Sequence, residues 1–187
     1  MSPNILSRFT AGALLLVFGN AHAAPPPVPN TSNGTVQYAF TPDGRADDMI
    51  VEAIAGARKQ VLVQAFSFTH RRIAEALIKA HSRGVEVVVI ADYEQTYQIE
   101  TSVIGDIADG GVPVLLDAQH ASAHNKIMVI DGDNAGCAVI TGSYNYTHAA
   151  QFRNAENAVI LKGNPALCNA FRRNWSLHQT HSLPYQR

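Results

Sequence analysis

The chain has 187 residues, of which 47% are hydrophobic and 16% are charged, and this composition predicts one compact globular domain rather than two. Its formal net charge is −1 at pH 7, so the sequence does not predict the extended basic surface that most nucleic-acid-binding proteins carry. Any site for a phosphate group must therefore depend on a few local cations.

The N-terminal segment has the features of a secretory signal peptide. Arg8 precedes an apolar run at 11–18, and residues 21–23 read Ala-His-Ala, the small-x-small pattern that signal peptidase cuts. The run is well short of the ~20 apolar residues that span a bilayer. We therefore expect cleavage after Ala23, which removes residues 1–23 and leaves a periplasmic or secreted protein with no integral membrane association.

Residues 24–34 are proline-rich and then polar, which predicts a leader with little packing of its own. Residues 35–187 are then expected to form a single catalytic domain. Short apolar runs alternate with helical periodicity along this part of the chain, which is typical of an α/β fold. We expect a mixed, mostly parallel β-sheet flanked by helices on both faces.

The expected elements follow from these patterns in chain order. They are a strand at 36–40, a helix at 47–58, a strand at 61–68, a helix at 73–82, a strand at 85–91, a helix near 99–108, strands at 112–116, 126–130 and 138–140, a short helix at 147–153, a strand at 158–161, and a last helix capped by Asn164.

Export bears on the chain's two cysteines, Cys137 and Cys168. In an oxidising compartment they can form one disulfide that ties the segment before Thr141 to the last helix. Nothing in their spacing demands this bond, and two separate buried thiols are the alternative.

The segment from His124 to Asn145 carries the groups most suited to phosphate chemistry. In an extended strand, His124 and Lys126 share a face and Asp131 points to the other. Seven residues of strand span ~23 Å, so Asp131 cannot orient His124 directly. Glu156, at the start of a later strand, is the candidate for the carboxylate that fixes the tautomer of the imidazole.

Lys126 is predicted to place its ammonium on non-bridging phosphate oxygens, and Ser143 and Asn145 add neutral donors. Together these groups can stabilise the charge of a five-coordinate phosphorus without a metal. The sequence shows no cluster of His, Asp, Glu or Cys at ligand spacing beside His124, so neither a metal nor a cofactor is predicted.

The order His124-x-Lys126-x₄-Asp131, followed by Gly142-Ser143-x-Asn145 and by Glu156-Asn157, resembles the phospholipase D superfamily. In particular it is similar to short bacterial secreted nucleases that carry a single such motif, the HKD motif. The resemblance implies an α-β-α sandwich. Residues 132–136 depart from the family pattern, and we expect them to form a hairpin that protrudes near the site.

The resemblance also implies a two-step phosphodiesterase reaction through a phosphohistidine. By position, His124 is the nucleophile or the acid, Lys126 and Asn145 bind phosphate, and Ser143 supports it. Glu156 is expected to orient His124, whereas Asp131 belongs to the motif but is interpreted as structural.

A single motif supplies only one of the two histidines that this reaction needs. In-line displacement puts the attacking and leaving atoms on opposite sides of phosphorus, so one imidazole cannot serve both. His70, His120 and His148 are candidates for the second proton donor. The preferred solution is a homodimer with one composite active site, in which two copies of His124 face each other, as single-motif relatives are understood to do.

The leading functional hypothesis is a secreted, metal-independent endonuclease that cleaves DNA, with RNA as a further substrate, at low sequence specificity. A phosphate-centred site explains the low specificity because backbone contacts carry no base information. The alternatives are a small phospholipase D-type lipid hydrolase and a catalytically silent nucleic-acid-binding module. The sequence shows no basic amphipathic segment that would favour the lipid enzyme.

Overall fold

The computed structural model describes residues 34–187. The predicted signal peptide and nearly all of the predicted leader lie outside the described residues. No helix in the described part of the chain is long and apolar enough to cross a membrane.

The described residues form one eight-stranded sheet with six helices around it. The elements are β1 (Thr35–Thr41), α1 (Ala46–Ala55), β2 (Gln60–Ala65), α2 (Arg71–Ser82), β3 (Glu86–Asp92), α3 (Tyr93–Gln98), α4 (Ile104–Asp109), β4 (Val114–Asp117), β5 (Lys126–Ile130), β6 (Ala138–Gly142), α5 (His148–Phe152), β7 (Glu156–Lys162), α6 (Pro165–Gln179) and β8 (Leu183–Pro184).

The strand order is β1-β7-β6-β5-β2-β3-β4-β8, which confirms the predicted α/β class with a mixed sheet. Only the β2–β3 and β3–β4 pairings are parallel, and the other five are antiparallel. The expected majority of parallel strands is therefore corrected. Helix-containing crossovers lead from β2 to β3 and from β3 to β4. By contrast, β5 leads directly into β6, and the segment with the short helix α5 returns the chain into β7 at the end of the sheet where β6 finishes, so both of these pairs are antiparallel.

Most predicted elements are present, and their ends follow local signals. The α2 helix buries Ile73 and Leu77, and Gly84 follows its end with a φ of 87°, a conformation that glycine adopts without strain. The Asn164 side chain accepts a hydrogen bond from the backbone N–H of Leu167 and caps α6.

Two elements differ from the expectation. The helix predicted near 99–108 is replaced by the separate helices α3 and α4, because the Asp92 side chain accepts from the N–H of Gln95 and starts α3 directly after β3. Strand β8 was not predicted, since its two residues, Leu183 and Pro184, are too few to show alternation; they pair with β4 and form the edge of the sheet.

Helices cover both faces of the sheet, as predicted. On one face, α1, α2 and α4 bury a large core against alternate residues of the central strands, among them Val61 and Val63. On the other face, α6 packs Trp175 against a smaller core that includes Leu62 and Val129. The Trp175 indole also donates a hydrogen bond of 2.9 Å to the carbonyl of Val63, which fixes α6 over β2.

A disulfide joins Cys137 to Cys168 with an S–S distance of 2.07 Å, which settles the alternative that the sequence left open. Cys137 immediately precedes β6, and Cys168 lies in the first turns of α6. Both residues are fully buried beside Val139. The bond therefore ties the C-terminal helix to the part of the sheet that carries the motif.

Asp131, the last residue of the motif, lies just after β5 and holds the segment that leads into β2. Its carboxylate accepts backbone hydrogen bonds from Arg58 at 3.0 Å, Lys59 at 2.7 Å and Gln60 at 2.9 Å. Its own φ is 50°, a left-handed conformation that Asp and Asn tolerate. These contacts secure the β2–β5 junction at the end of β5 remote from His124.

We predict that Asp131→Asn lowers the free energy of unfolding by about 2 kcal/mol, because an amide cannot replace all three charge-assisted acceptor contacts. Asp133→Asn is the matched control in the same loop, since Asp133 makes only an exposed ion pair with Arg172 and should cost less than about 1 kcal/mol. Urea titration measures both. A catalytic role for Asp131 would instead appear as lost turnover with unchanged stability.

Candidate active site

The predicted site residues converge because of the antiparallel register of β5, β6 and β7. In this register Met128 lies opposite Ile140, and Gly142 lies opposite Ala158. The beginning of β5, the end of β6 and the beginning of β7 therefore lie side by side at the border of the sheet that the strand ends form. This border, and not an outer strand, is the edge of the sheet at which the site lies. His124 with Lys126, Ser143 with Asn145, and Glu156 occupy these three positions.

The same register corrects the expectation about residues 132–136. This segment links the end of β5 to the beginning of β6, so it lies at the opposite edge of the sheet from His124. It is not a hairpin beside the site. Its Gly132 instead approaches Arg172 of α6.

His124 and Lys126 form a directly bonded pair. The Lys126 Nζ lies 2.9 Å from the Nδ1 of His124 and donates to the His124 carbonyl at 2.8 Å. The phenyl ring of Phe66, just after β2, packs against both: its centroid is 4.3 Å from the imidazole centroid and 4.9 Å from Nζ. His124 is exposed, whereas Lys126 is only 7% exposed.

This contact has a consequence for the imidazole. A protonated Lys126 has only N–H donors, so the His124 Nδ1 must accept and the proton of a neutral imidazole then lies on Nε2. In this state Nε2 can donate a proton but has no lone pair with which to attack. Nucleophilic attack by Nε2 would require Lys126 to release Nδ1, for example by turning towards a bound phosphate, and the Nε2 proton to move to Nδ1.

Burial lowers the pKa of Lys126 to about 8, although the negative charge of Glu156 opposes this effect. A partly desolvated ammonium gains more from a phosphate oxygen than an exposed one does, because its water shell is already reduced. The free site therefore holds its positive charge at neutral pH and loses it as the pH rises through about 8.

Ser143 and Glu156 form the second part of the site. The Ser143 hydroxyl donates to Glu156 at 2.6 Å and accepts from the backbone N–H of Asn157 at 3.1 Å. Asn154 donates to the other carboxylate oxygen at 3.1 Å. No hydrogen bond between Glu156 and His124 is present in the described part of the chain, so Glu156 acts on the site through Ser143 and through its charge on Lys126.

The turn after β6 requires a glycine. Gly142 has a φ of 144°, and a Cβ there would lie 2.3 Å from the Asn157 carbonyl oxygen. This close approach lets Ser143 reach β7. Asn145 follows with its side-chain oxygen buried, and this oxygen has no hydrogen-bond partner among residues 34–187.

The loop of residues 118–125 delivers His124 to the sheet edge and is held at two points. The Ala123 N–H donates to the Asp92 carboxylate at 2.8 Å, and the Asn125 carbonyl accepts from the Phe66 N–H at 3.0 Å. Both partners lie at the ends of parallel central strands. The position of His124 is thus fixed by the sheet.

The other candidate histidines lie in different surroundings. His70 is buried, and its Nε2 is 3.6 Å from Asp47, beyond hydrogen-bond distance; burial also lowers the pKa of its imidazole. His148 is exposed and packs on Phe152. His120 is bonded to Asp117. Among the described residues, none of these three histidines hydrogen-bonds to His124.

A cavity of about 540 Å³ lies beside the segment that follows Asn145. Its lining includes His70 and His148 and three arginine residues, Arg71, Arg72 and Arg153. Arg72 is paired there with Asp47 and Asp48, whereas the Arg153 side chain is exposed. The overall charge did not show where the cations of the chain lie. The structure places a group of them in this cavity.

Sequence reasoning missed two features of this edge. Phe66 resembles an ordinary core residue at a strand end, and only the register of Ala65 opposite Lys126 places it at the site. The second feature is a cluster of Asp117, His120, His178 and His181, whose ligand atoms all lie within 4.8 Å of one another. Two i,i+3 pairs were its only sequence signal, and they are 58 residues apart.

Residues 50–176 match the family described as "Cardiolipin synthase, PLD-like domain". This match spans more than half of the chain, and the chain belongs to this family, which confirms the resemblance to the phospholipase D superfamily. The fold and the site together define a phosphodiesterase of that superfamily.

Proteins similar to this chain in sequence include proteins named phospholipase D and proteins named mitochondrial cardiolipin hydrolase. The chain is 31% identical over 167 residues to a phospholipase D of Rickettsia bellii, covering 87% of this chain and 80% of the relative. It is 32% identical over 148 residues to a phospholipase D of Rickettsia typhi, covering 79% and 70%. It is 27% identical over 139 residues to a mitochondrial cardiolipin hydrolase of Chlamydomonas reinhardtii, covering 74% and 59%.

Solved structures share the fold. Nuc from Salmonella typhimurium, a phospholipase D family member, is 30% identical with a TM-score of 0.77, covering 83% of this chain and 100% of that structure. NucT from Helicobacter pylori has a TM-score of 0.72 at 23% identity, covering 82% and 100%, and its likeness concerns the fold alone.

We predict that kcat/KM for a small phosphodiester such as bis(p-nitrophenyl) phosphate falls as the pH rises above about 8. The descending limb reports loss of the proton from Lys126 in the free enzyme, and the rate should drop about tenfold for each further pH unit. Lys126→Arg is the informative variant, because its guanidinium stays charged and its residual activity should show no such limb. A wild-type profile that stays flat to pH 10 would contradict the assignment.

Proposed function

We propose that this chain is a secreted, metal-independent endonuclease that hydrolyses DNA, and RNA as a further substrate, with low sequence specificity. The observation that carries the proposal is the pairing of the exposed His124 with the nearly buried Lys126 at one sheet edge. The pair combines a potential nucleophile with a cation that can bind phosphate, so the proposed reaction needs no metal ion. Secretion rests on the predicted signal peptide.

In the proposed first step, Nε2 of His124 forms a bond to phosphorus as the bond to the leaving oxygen breaks, and a second histidine gives that oxygen a proton. In the second step, water loses a proton to the second histidine and attacks the phosphohistidine, which breaks the P–N bond. Lys126 and the Ser143 region stabilise the charge on the non-bridging oxygens in both steps. Binding of phosphate draws Lys126 away from Nδ1; solvent water then moves the proton from Nε2 to Nδ1, which frees the Nε2 lone pair for attack.

The second histidine is proposed to come from a second copy of the chain. His70, His120 and His148 have other surroundings, so a twofold axis that brings two His124 side chains together is the simplest source. Such a dimer has one composite active site, with one imidazole on each side of the phosphorus.

An exposed apolar strip on β1 supports this dimer. Val36, Tyr38 and Phe40 are 60%, 68% and 62% exposed and lie on one face of the edge strand. Val36 pairs with Leu161 of β7, and Leu161 pairs in turn with Val139 of β6. Val139 packs against residues of α6, so the strip lies on the same face of the sheet as α6, beyond the helix. Its other end, Phe40, is opposite Asn157 beside Ser143. A partner on this strip would therefore reach the site.

Nucleic acid is favoured as substrate by the form of the site and its surroundings. His124 is exposed at this open end of the strands, and the neighbouring cavity carries the exposed Arg153 and Arg71, the latter paired with Asp106, which suit the further phosphates of a polyanion. These contacts recognise backbone phosphates rather than bases, which accounts for low specificity.

A phospholipid hydrolase is the second candidate, because relatives of this chain are named phospholipase D and cardiolipin hydrolase. The same phosphohistidine chemistry would serve a phospholipid. The apolar strip on β1 would then contact lipid instead of a second subunit.

We predict that purified mature protein cuts plasmid DNA in excess EDTA, at a temperature at which the metal-free protein stays folded, and that His124→Ala lowers the rate by at least about 10³-fold. Gel mobility measures the cutting, and vesicles of cardiolipin and of phosphatidylcholine are assayed in parallel. His148→Ala is the matched control and should keep most activity. Turnover of lipid without DNA would establish the second candidate, and undiminished cutting by His124→Ala would exclude the central assignment.

We predict that excess His124→Ala protein suppresses wild-type turnover once subunits exchange. With a composite site, an equal mixture should retain about half of the activity of the unmixed wild-type protein, and a ninefold excess about a tenth. Tyr38→Glu should give an inactive monomer in sedimentation, whereas Gln37→Glu, its neighbour on the opposite face of β1, should remain dimeric. Activity that is independent of the inactive subunit, or a fully active monomer, would contradict the composite site.

A further inference from the structure

Four side chains outside the phosphodiesterase site converge at the end of β4. Asp117 is the last residue of this strand, and His120 follows in the loop of residues 118–125. His178 lies in the last turn of α6, and His181 lies between α6 and β8. They form the one group of three or more potential metal ligands within residues 34–187.

Their distances approach those of a metal coordination shell. Oδ2 of Asp117 lies 2.9 Å from the Nδ1 of His120, 2.9 Å from the Nδ1 of His178 and 3.2 Å from the Nε2 of His181. In a tetrahedral zinc site with bonds of ~2.0–2.1 Å, neighbouring ligand atoms are roughly 3.3 Å apart. The four ligand atoms all lie within 4.8 Å of one another, so the imidazoles would move closer together to surround one ion.

Both oxygens of Asp117 lie close to the Nδ1 of His120, Oδ1 at 3.1 Å and Oδ2 at 2.9 Å, but their other partners differ. Oδ1 accepts from the backbone N–H groups of Gln119 at 3.1 Å and His120 at 3.3 Å, which fixes the orientation of the carboxylate. Oδ2 faces His178 and His181. A ligand oxygen directed by hydrogen bonds to its neighbour is the usual arrangement around a bound metal.

The carboxylate is also ready to act as a ligand. Its side chain is fully buried, and its Oδ2 lies within 3.2 Å of a ring nitrogen of each of the three imidazoles. A buried anion surrounded by three imidazoles at its open oxygen is a costly arrangement unless a positive charge joins it.

We propose that Asp117, His120, His178 and His181 bind one Zn²⁺ ion. The set of three imidazoles and one carboxylate provides four ligands of the types that zinc prefers and fills a tetrahedral shell, which is typical of a structural site. The ion joins the loop of residues 118–125 to the end of α6 and to the segment that forms β8. It therefore braces the loop that carries His124 without taking part in phosphoryl transfer.

The test uses the mature, disulfide-bonded protein without a histidine tag, stripped of metal, incubated with ZnCl₂ and dialysed. Atomic emission should find one zinc per chain, and zinc should raise the Tm of the stripped protein by roughly 5–10 °C. His120→Ala is the first variant, because its side chain is 45% exposed and its loss should leave the fold intact. His178→Ala is the second, and His148→Ala is the matched control.

The zinc affinity of His120→Ala and His178→Ala should fall by at least about 100-fold, while His148→Ala binds zinc like the wild type. Cobalt added in place of zinc should give the intense visible absorption of tetrahedral Co²⁺ in the wild type and lose it in both variants. Absence of stoichiometric zinc in the wild type, or equal zinc binding by His120→Ala and His178→Ala, would overturn the proposal. Neither readout depends on phosphodiesterase activity.

Discussion

The antiparallel pairing of β5 with β2 and β6 is the constraint on which the site depends. It directs the start of β5, the end of β6 and the ends of the parallel strands β2, β3 and β4 to one edge of the sheet. The chemistry-bearing residues are separated along the chain by up to 32 positions between His124 and Glu156, and only this register joins them. The Asp131 contacts and the disulfide secure the sheet at the opposite edge and on the α6 face, so the site edge is left free for a substrate.

Lys126 explains why a chain with a net charge of −1 can carry a phosphate site. A single ammonium, nearly buried against the Phe66 ring, exerts a stronger local field than a solvated lysine, because little water screens it. Its cost is visible in the lowered pKa. The bond to the His124 Nδ1 satisfies the ammonium when no phosphate is bound. A bound anion would compete for the same ammonium, so substrate binding would also release the Nδ1 of the imidazole.

The sequence predicted the fold class, most of the elements and the groups at the site edge, since these follow from periodicity, capping residues and a compact motif. It did not predict strand direction, because the apolar run of a buried strand looks the same in parallel and antiparallel pairing. For the same reason, it misplaced residues 132–136 and assigned Glu156 a direct contact with His124 that the described chain does not make. Phe66 and the Asp117 cluster depend on contacts between distant segments, which no local pattern encodes.

The two sites at this edge are linked by one short loop. Residues 118–125 begin next to Asp117, include His120 and end with His124 before Lys126 enters the sheet. Asp92 holds this loop at Ala123, the residue before His124, through the Ala123 N–H. A zinc ion bound by Asp117 and His120 would add a second fixed point three residues before Ala123 and so limit the movement of the backbone that leads into His124. Nucleophile placement in this fold would then depend on the C-terminal helix as well as on the sheet.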